Sequence, residues 1–163
     1  MSHRVEIVKR LLDAYNARDW ETIRSASAEN LTFYDHGVNV GGTTRDGLVR
    51  LFQNAVAQCP DDHNVDSSFI EDQNLRVVVS ITSYLATHTG TDYLPGWKAT
   101  GKECGIRACE IWRFNSQDAL ISYEAYYDRL LPAVELGHVQ LPQEAQRGPV
   151  PPLRPNVDVQ YDT

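Results

Sequence analysis

The sequence predicts an α+β domain in which helices pack against one antiparallel sheet. Two patterns carry this reading: apolar residues recur at three- and four-residue spacing over residues 4–17 and 48–56, whereas from Val65 to Asp128 they alternate with a period of two. A third observation is the punctuation, since Gly41-Gly42, Asp72-Gln73-Asn74 and Asn115-Ser116-Gln117-Asp118 each read as a turn between periodic runs.

In chain order, Val5, Val8, Leu12 and Tyr15 form an apolar stripe that Ile7 and Leu11 widen, which predicts an amphipathic helix over 4–17. Asp19 can cap a short second helix with Trp20 and Ile23 at its inward edge, broken at residues 25–30. Residues 31–36 alternate as a strand leading into the Gly41-Gly42 turn, with Tyr34 and His36 on one face. Thr43 or Thr44 caps a third helix carrying Leu48, Leu51, Phe52, Ala55 and Val56, stopped by Pro60. Residues 65–71 and 76–87 make a hairpin, and Tyr84 and His88 share a face. A loop over 90–101 follows, carrying Pro95-Gly96-Trp97.

Strands over 103–114 and 119–128 complete the sheet. Pairing Asn115 with Asp118 sets Glu124 opposite Cys109, Tyr126 opposite Arg107 and Asp128 opposite Gly105, with Trp112 against Ile121 and Glu110 against Tyr123 on the other face. A slip of one residue would change every partner. After Gly137 the prolines at 142, 149, 151, 152 and 155 leave no room for helix or central strand. A domain over 1–138 and an extended or disordered tail over 139–163 are expected, the tail being either an arm on a partner subunit or a loosely held terminus.

At 163 residues, 42% apolar and 23% charged, the chain suits one globular domain. A net charge of -7 repels phosphate backbones, so a nucleic-acid partner is not expected. No apolar run reaches the roughly 18 residues of a membrane helix, and residues 1–10 lack the pattern of a signal peptide. A soluble, cytoplasmic protein without membrane contact is expected. Cys59, Cys104 and Cys109 suggest no disulfide framework, and the last two face opposite sides of one strand. The histidines fall in no spacing that builds a metal site.

Thr87-His88-Thr89-Gly90, Ala99-Thr100-Gly101-Lys102, and Tyr126-Tyr127-Asp128 nine residues before Gly137 have a joint spacing that resembles the SnoaL-like polyketide cyclases of the NTF2-like superfamily, over most of residues 4–138. The resemblance implies a cone: a curved antiparallel sheet wrapped around a deep apolar pocket, with three helices in the N-terminal half. It also implies no cofactor, a homodimer, a small hydrophobic substrate, and an acid/base role for Asp128. Glu124 stands where those cyclases commonly have tryptophan. A related branch that closes pyran or furan rings by opening an epoxide uses a carboxylate with tyrosine hydroxyls, and Glu124, Tyr34 and Tyr84 would take those parts. The Arg-x-Asp pair of limonene-type epoxide hydrolases has no counterpart near Thr87-His88-Thr89-Gly90.

The strand from Ile121 carries Ser122, Glu124, Tyr126 and Asp128 on one face and Ile121, Tyr123, Ala125 and Tyr127 on the other. Glu124 and Asp128 lie about 13 Å apart along it, at roughly 3.3 Å per residue, too far to share a proton. The expected catalytic set is therefore Asp128, Glu124, Tyr34 and Tyr84. Glu124 would be desolvated and a proton donor, or else a surface carboxylate paired with Arg107 or Arg113; Asp128 would be catalytic, or else cap the turn before Leu130. His36, His88, Arg107 and Tyr126 form the expected substrate-binding set. The histidines either move a proton or hold structure, and Arg107 either neutralises Glu124 or grips a substrate carboxylate. Trp112, Phe114, Tyr123 and Tyr127 read as core or dimer contacts.

The function expected is a cofactor-independent cyclase that closes a ring in a polyketide or prenylated aromatic intermediate, with epoxide opening favoured over aldol closure. The competing readings are a non-catalytic NTF2-like ligand-binding or dimerisation module, and an epoxide hydrolase or isomerase.

Overall fold

Helical spacing of apolar residues produces α1 (His3–Ala17), which buries Val5, Ile7, Val8, Leu11, Leu12, Ala14 and Tyr15. The computed structural model describes residues 3–142. Asp19 caps α2 (Trp20–Ser25) by accepting the Thr22 N–H, and Thr44 caps α3 (Arg45–Gln58) by accepting that of Gly47. The strands are β1 (Ser27–Asp35), β2 (Val40–Gly42), β3 (His63–Asp72), β4 (Val77–Thr87), β5 (Glu103–Phe114) and β6 (Leu120–Tyr126), and α4 (Leu130–Glu135) follows.

The strands form one six-stranded sheet in the order β2-β1-β6-β5-β4-β3. All neighbours run antiparallel except β1 and β6, which are parallel, so the sheet is not purely antiparallel as expected. The reason lies in β1: it starts at Ser27 rather than Leu31, and Ala26 accepts the Leu120 N–H, which draws β1 alongside β6. Gly41 and Gly42 are strand rather than turn. Phe33 lies across Gly42 so closely that a Cβ there would sit 2.5 Å from the ring.

The β5–β6 register also departs from expectation, by two residues. Asn115 accepts the Asp118 N–H at 3.2 Å but donates its own N–H to the Ala119 carbonyl, so the ladder starts at Ala119 and Asp118, at φ 58°, stays inside the loop. A further shift between Arg113 and Phe114 adds the second residue. Glu124 is therefore opposite Ile111, Tyr126 opposite Cys109, Trp112 opposite Tyr123 and Glu110 opposite Ala125. Two one-residue shifts restore the original faces, so the partners change and the sidedness does not.

The chain leaves the strand conformation after Tyr126, so Tyr127 and Asp128, expected at the end of the strand, lie in the link to α4. Asp128 accepts the Leu130 N–H at 2.8 Å, and Pro132 stands in the first turn of α4, where its missing N–H costs nothing. The expected tail from 139 onward falls, beyond residue 142, outside the described residues. Among the described residues no helix is long and apolar enough to cross a membrane.

Leu31, Phe33, Leu48, Trp112, Phe114 and Leu120 pack with the inward faces of α1, α2 and α3 into a core. That core fills one end of the curved sheet. Toward the other end the same inward face carries Ala86, Ala108 and Ala125 on three neighbouring strands, and these short side chains leave it unfilled.

Candidate active site

The unfilled end is a cavity of about 750 Å³, walled by Leu51 and Phe52 of α3, Ile106 of β5 and the loop residues Tyr93 and Leu94. Its volume suits a ligand of drug or natural-product size. The walls are mainly apolar; besides Asn54, Gln58, Thr91 and Asp92, the polar groups among them form three clusters.

The first lies on the floor. Glu110 of β5 is 1% exposed. Its Oε2 accepts the hydroxyls of Ser80 at 2.9 Å and Thr82 at 2.7 Å, and its Oε1 those of Tyr84 at 2.8 Å and Tyr123 at 2.9 Å. The Trp112 indole N–H donates to Ser80 at 2.9 Å and completes the network. Burial pushes the Glu110 carboxyl above the ordinary carboxylate range, and the four hydroxyl donors only partly oppose that. The Tyr84 and Tyr123 phenols are pushed well up, first by burial and then by the carboxylate. When the carboxyl carries a proton, it and its phenol neighbours can exchange donor and acceptor roles over the same distances.

The second cluster is Asp62 with Tyr15. The Tyr15 hydroxyl donates to Asp62 Oδ2 at 2.6 Å, while the buried Asp62 Oδ1 has no partner among the described residues. Burial raises the Asp62 carboxyl. The Tyr15 ring meets the Tyr84 ring edge-on at 5.9 Å, which joins this cluster to the floor.

The third is Asp35 with Tyr127 and Arg129. Asp35 accepts the Val38 N–H at 3.0 Å and the Tyr127 hydroxyl at 3.3 Å, and burial raises it as well. Arg129 lies over the Tyr93 ring at 5.4 Å. Cys59 and Cys104 also line the cavity, with thiols pushed by burial to about 12 and about 11. Neither forms a thiolate near neutrality, so the cavity holds no cysteine nucleophile.

The profile of the SnoaL-like domain matches residues 8–124, which take in most of the sheet, most of α1 and all of α2 and α3. The chain belongs to that family. Solved structures agree on the fold. AclR of Streptomyces galilaeus, a proposed hydroxylase, is 19% identical with a TM-score of 0.72, over 88% of this chain and 87% of that one. IdmH of Streptomyces antibioticus, a proposed polyketide cyclase, is 19% identical with a TM-score of 0.70, over 83% and 99%. A proposed SnoaL-like polyketide cyclase of Jannaschia sp. CCS1 is 15% identical with a TM-score of 0.73, over 84% and 93%. An NTF2-like protein of Burkholderia pseudomallei, 15% identical at TM-score 0.69 over 84% and 99%, carries the superfamily's name, and the fold of this chain is NTF2-like. Comparison with curated proteins finds no match.

In this SnoaL-like domain the expected site residues are divided between the two faces of the sheet. Tyr84 lines the cavity; the others do not. Glu124 lies on the outer face, ion-paired with Arg113, accepting the Tyr126 hydroxyl at 2.7 Å, with His36 Nε2 at 3.5 Å. The expected desolvation of Glu124 does not occur. The Tyr126 hydroxyl and Arg113 hold its carboxyl below the ordinary range, the state of a paired anion rather than a proton donor. Tyr126 stacks on His36 at 3.9 Å, and Tyr34 is hydrogen-bonded to Asn39. Arg107 is exposed on that same outer face, opposite Ser83. Asp128 is exposed and its carboxylate is engaged at the start of α4.

His88 is fully buried between Thr91, whose carbonyl lies 2.8 Å from its Nε2, and His138, 3.4 Å from its Nδ1. It fastens the loop over the cavity mouth. Glu110, Asp62, Asp35 and Arg129 were absent from the expected site. A signal for Glu110 existed: the inward face of β5 reads Cys104, Ile106, Ala108, Glu110, Trp112, Phe114, a single acid in an apolar row, beside Ser80, Thr82 and Tyr84 on β4. Trp112, Phe114 and Tyr123 belong to the core as read, and Tyr123 and Tyr127 also line the cavity.

Proposed function

We propose that this protein is a cyclase that closes a ring in a hydrophobic natural-product intermediate by general acid/base catalysis inside the cavity. The carrying observation is the Glu110–Tyr84 pair, a fully buried carboxyl bonded at 2.8 Å to a phenol of the cavity wall. Burial raises the Glu110 carboxyl and so favours its protonated form, in which it donates to the Tyr84 oxygen and frees the Tyr84 hydroxyl proton for a substrate oxygen.

Epoxide opening uses that arrangement directly. Tyr84 protonates the epoxide oxygen as its C–O bond breaks, and Glu110 reprotonates Tyr84. A hydroxyl of the same substrate attacks the carbon, and its proton passes to the unpartnered oxygen of Asp62, held by Tyr15. The product is an isomer of the substrate, and the proton gained by Asp62 restores Glu110 through solvent. Apolar walls exclude the water that would otherwise open the epoxide.

The outer face of the sheet supports a homodimer in the same proposal. Val79, Ile81 and Ile111 are half-buried there, flanked by Leu85 at 44% and Ile70 at 73% exposure, an apolar band suited to a second copy.

The test is turnover of a linear epoxy-alcohol in ¹⁸O-labelled water, analysed by mass spectrometry. Ring closure gives an isomeric cyclic ether without ¹⁸O. A diol carrying one ¹⁸O would mark an epoxide hydrolase, and binding without any product would leave the ligand-binding module.

A further inference from the structure

Arg129 stands in an unusual position for an arginine in this chain. Arg4 pairs with Asp118 and Glu71, Arg24 with Glu21 and Asp46, and Arg113 with Glu124. Arg129 is half-buried in the wall of the cavity and has no ion-pair partner among the described residues. Its Nε is buried without a hydrogen-bond acceptor, and one terminal nitrogen makes only a long 3.5 Å contact to the Gly37 carbonyl. The guanidinium is nevertheless fixed, lying over the Tyr93 ring at 5.4 Å on the short link between β6 and α4. A desolvated guanidinium with unused donors is costly unless an anion meets it. Asp35 feels the guanidinium, whose charge opposes the rise of its carboxyl, yet forms no ion pair with it: that carboxyl accepts from Val38 and Tyr127.

We infer that Arg129 is the anchor for a carboxylate on the substrate, so that the cavity takes apolar acids rather than neutral skeletons. This rests on the cavity being the substrate site, as proposed above, and adds the substrate's charge. Arginine's planar fork suits a carboxylate bidentately, and holding that end against Tyr93 leaves the apolar body to extend across Ala86, Ala108 and Ala125 toward Tyr84. Arg107, the sequence-based choice for this task, is exposed on the opposite face.

The test is calorimetric binding of anthraquinone-2-carboxylate and of its neutral counterpart, 2-(hydroxymethyl)anthraquinone, to the full chain. Wild type is expected to bind the acid about tenfold or more tightly than the alcohol. Arg129→Met is expected to bring the two affinities together while the alcohol binds as before, and Arg129→Lys, which keeps the charge without the fork, to retain part of the preference. Equal binding of both probes by wild type, binding of neither, or a preference that survives Arg129→Met overturns the inference. Because these are binding constants, they fail or hold independently of ring closure: lost acid preference with Tyr84-dependent turnover intact removes Arg129 alone, and the reverse result removes the catalytic reading alone.

Discussion

Tyr84→Phe is expected to slow ring closure by about 10² to 10⁴, the usual worth of a positioned acid, with little change in substrate affinity. The substitution removes one oxygen and leaves the ring that packs on Tyr15. It cuts the relay at the phenol oxygen, while Glu110 on the cavity floor is 1% exposed and its oxygens are engaged by four hydroxyls. A kcat loss with KM nearly unchanged separates lost transition-state stabilisation from lost packing. A variant within threefold of wild type in kcat would mean that the proton comes from another group. Asp35 and Asp62 are then the remaining buried carboxyls of the cavity.

Glu110→Ala is expected to cost about 2–4 kcal/mol of stability, measured by urea denaturation. The loss has a structural origin: Tyr84 and Tyr123 lose their acceptor, and Thr82 keeps only the longer 3.3 Å bond to Ser80 as a donor. Glu110→Gln, which retains acceptor and volume, should lose much less. It also reveals the proton. Because the folded carboxyl is raised above its ordinary value near 4.5, the folded state binds its proton at higher pH than the unfolded chain does. Stability from this group is therefore fully present below the ordinary value and declines as pH rises through the folded one. The stability difference between wild type and Glu110→Gln should follow that slope across the mildly acidic range, while the slopes from Asp35 and Asp62 remain in both proteins and cancel. A difference independent of pH would show that Glu110 is ionised in both states throughout.

Much of the fold was legible in the sequence because it rests on local chemistry. Asp19 and Thr44 cap the helices they appeared to cap, and the apolar stripe of α1 is the face that packs. The parallel pairing of β1 with β6 was not legible, because it depends on contacts between residues far apart in sequence, such as Ala26 with Leu120. The same limit decided the site. From Ser122 to Tyr126 alternation separated the two faces of β6, although Leu120 rather than Ile121 enters the core; yet nothing in that strand alone says which face the helices cover. The polar face, with Glu124 and Tyr126, drew the chemistry toward itself and turned out to lie outside. The cavity formed where alanines of β4, β5 and β6 share the inward face, a property of three strands together rather than of any one segment. Arg129 and Asp128 differ by one residue, but the end of β6 and the start of α4 send the first to the cavity wall and the second to the surface.

The central claim is that chemistry occurs on the inner face of the sheet, at Glu110 and Tyr84, and not on the outer face at Glu124. Single-turnover rates of ring closure for Glu110→Gln and Glu124→Gln, measured side by side on one linear epoxy-alcohol, test it most directly. The expected result is a rate lowered by about a hundredfold in Glu110→Gln and held within about twofold of wild type in Glu124→Gln. The reverse order, with Glu124→Gln slow and Glu110→Gln unimpaired, would contradict it.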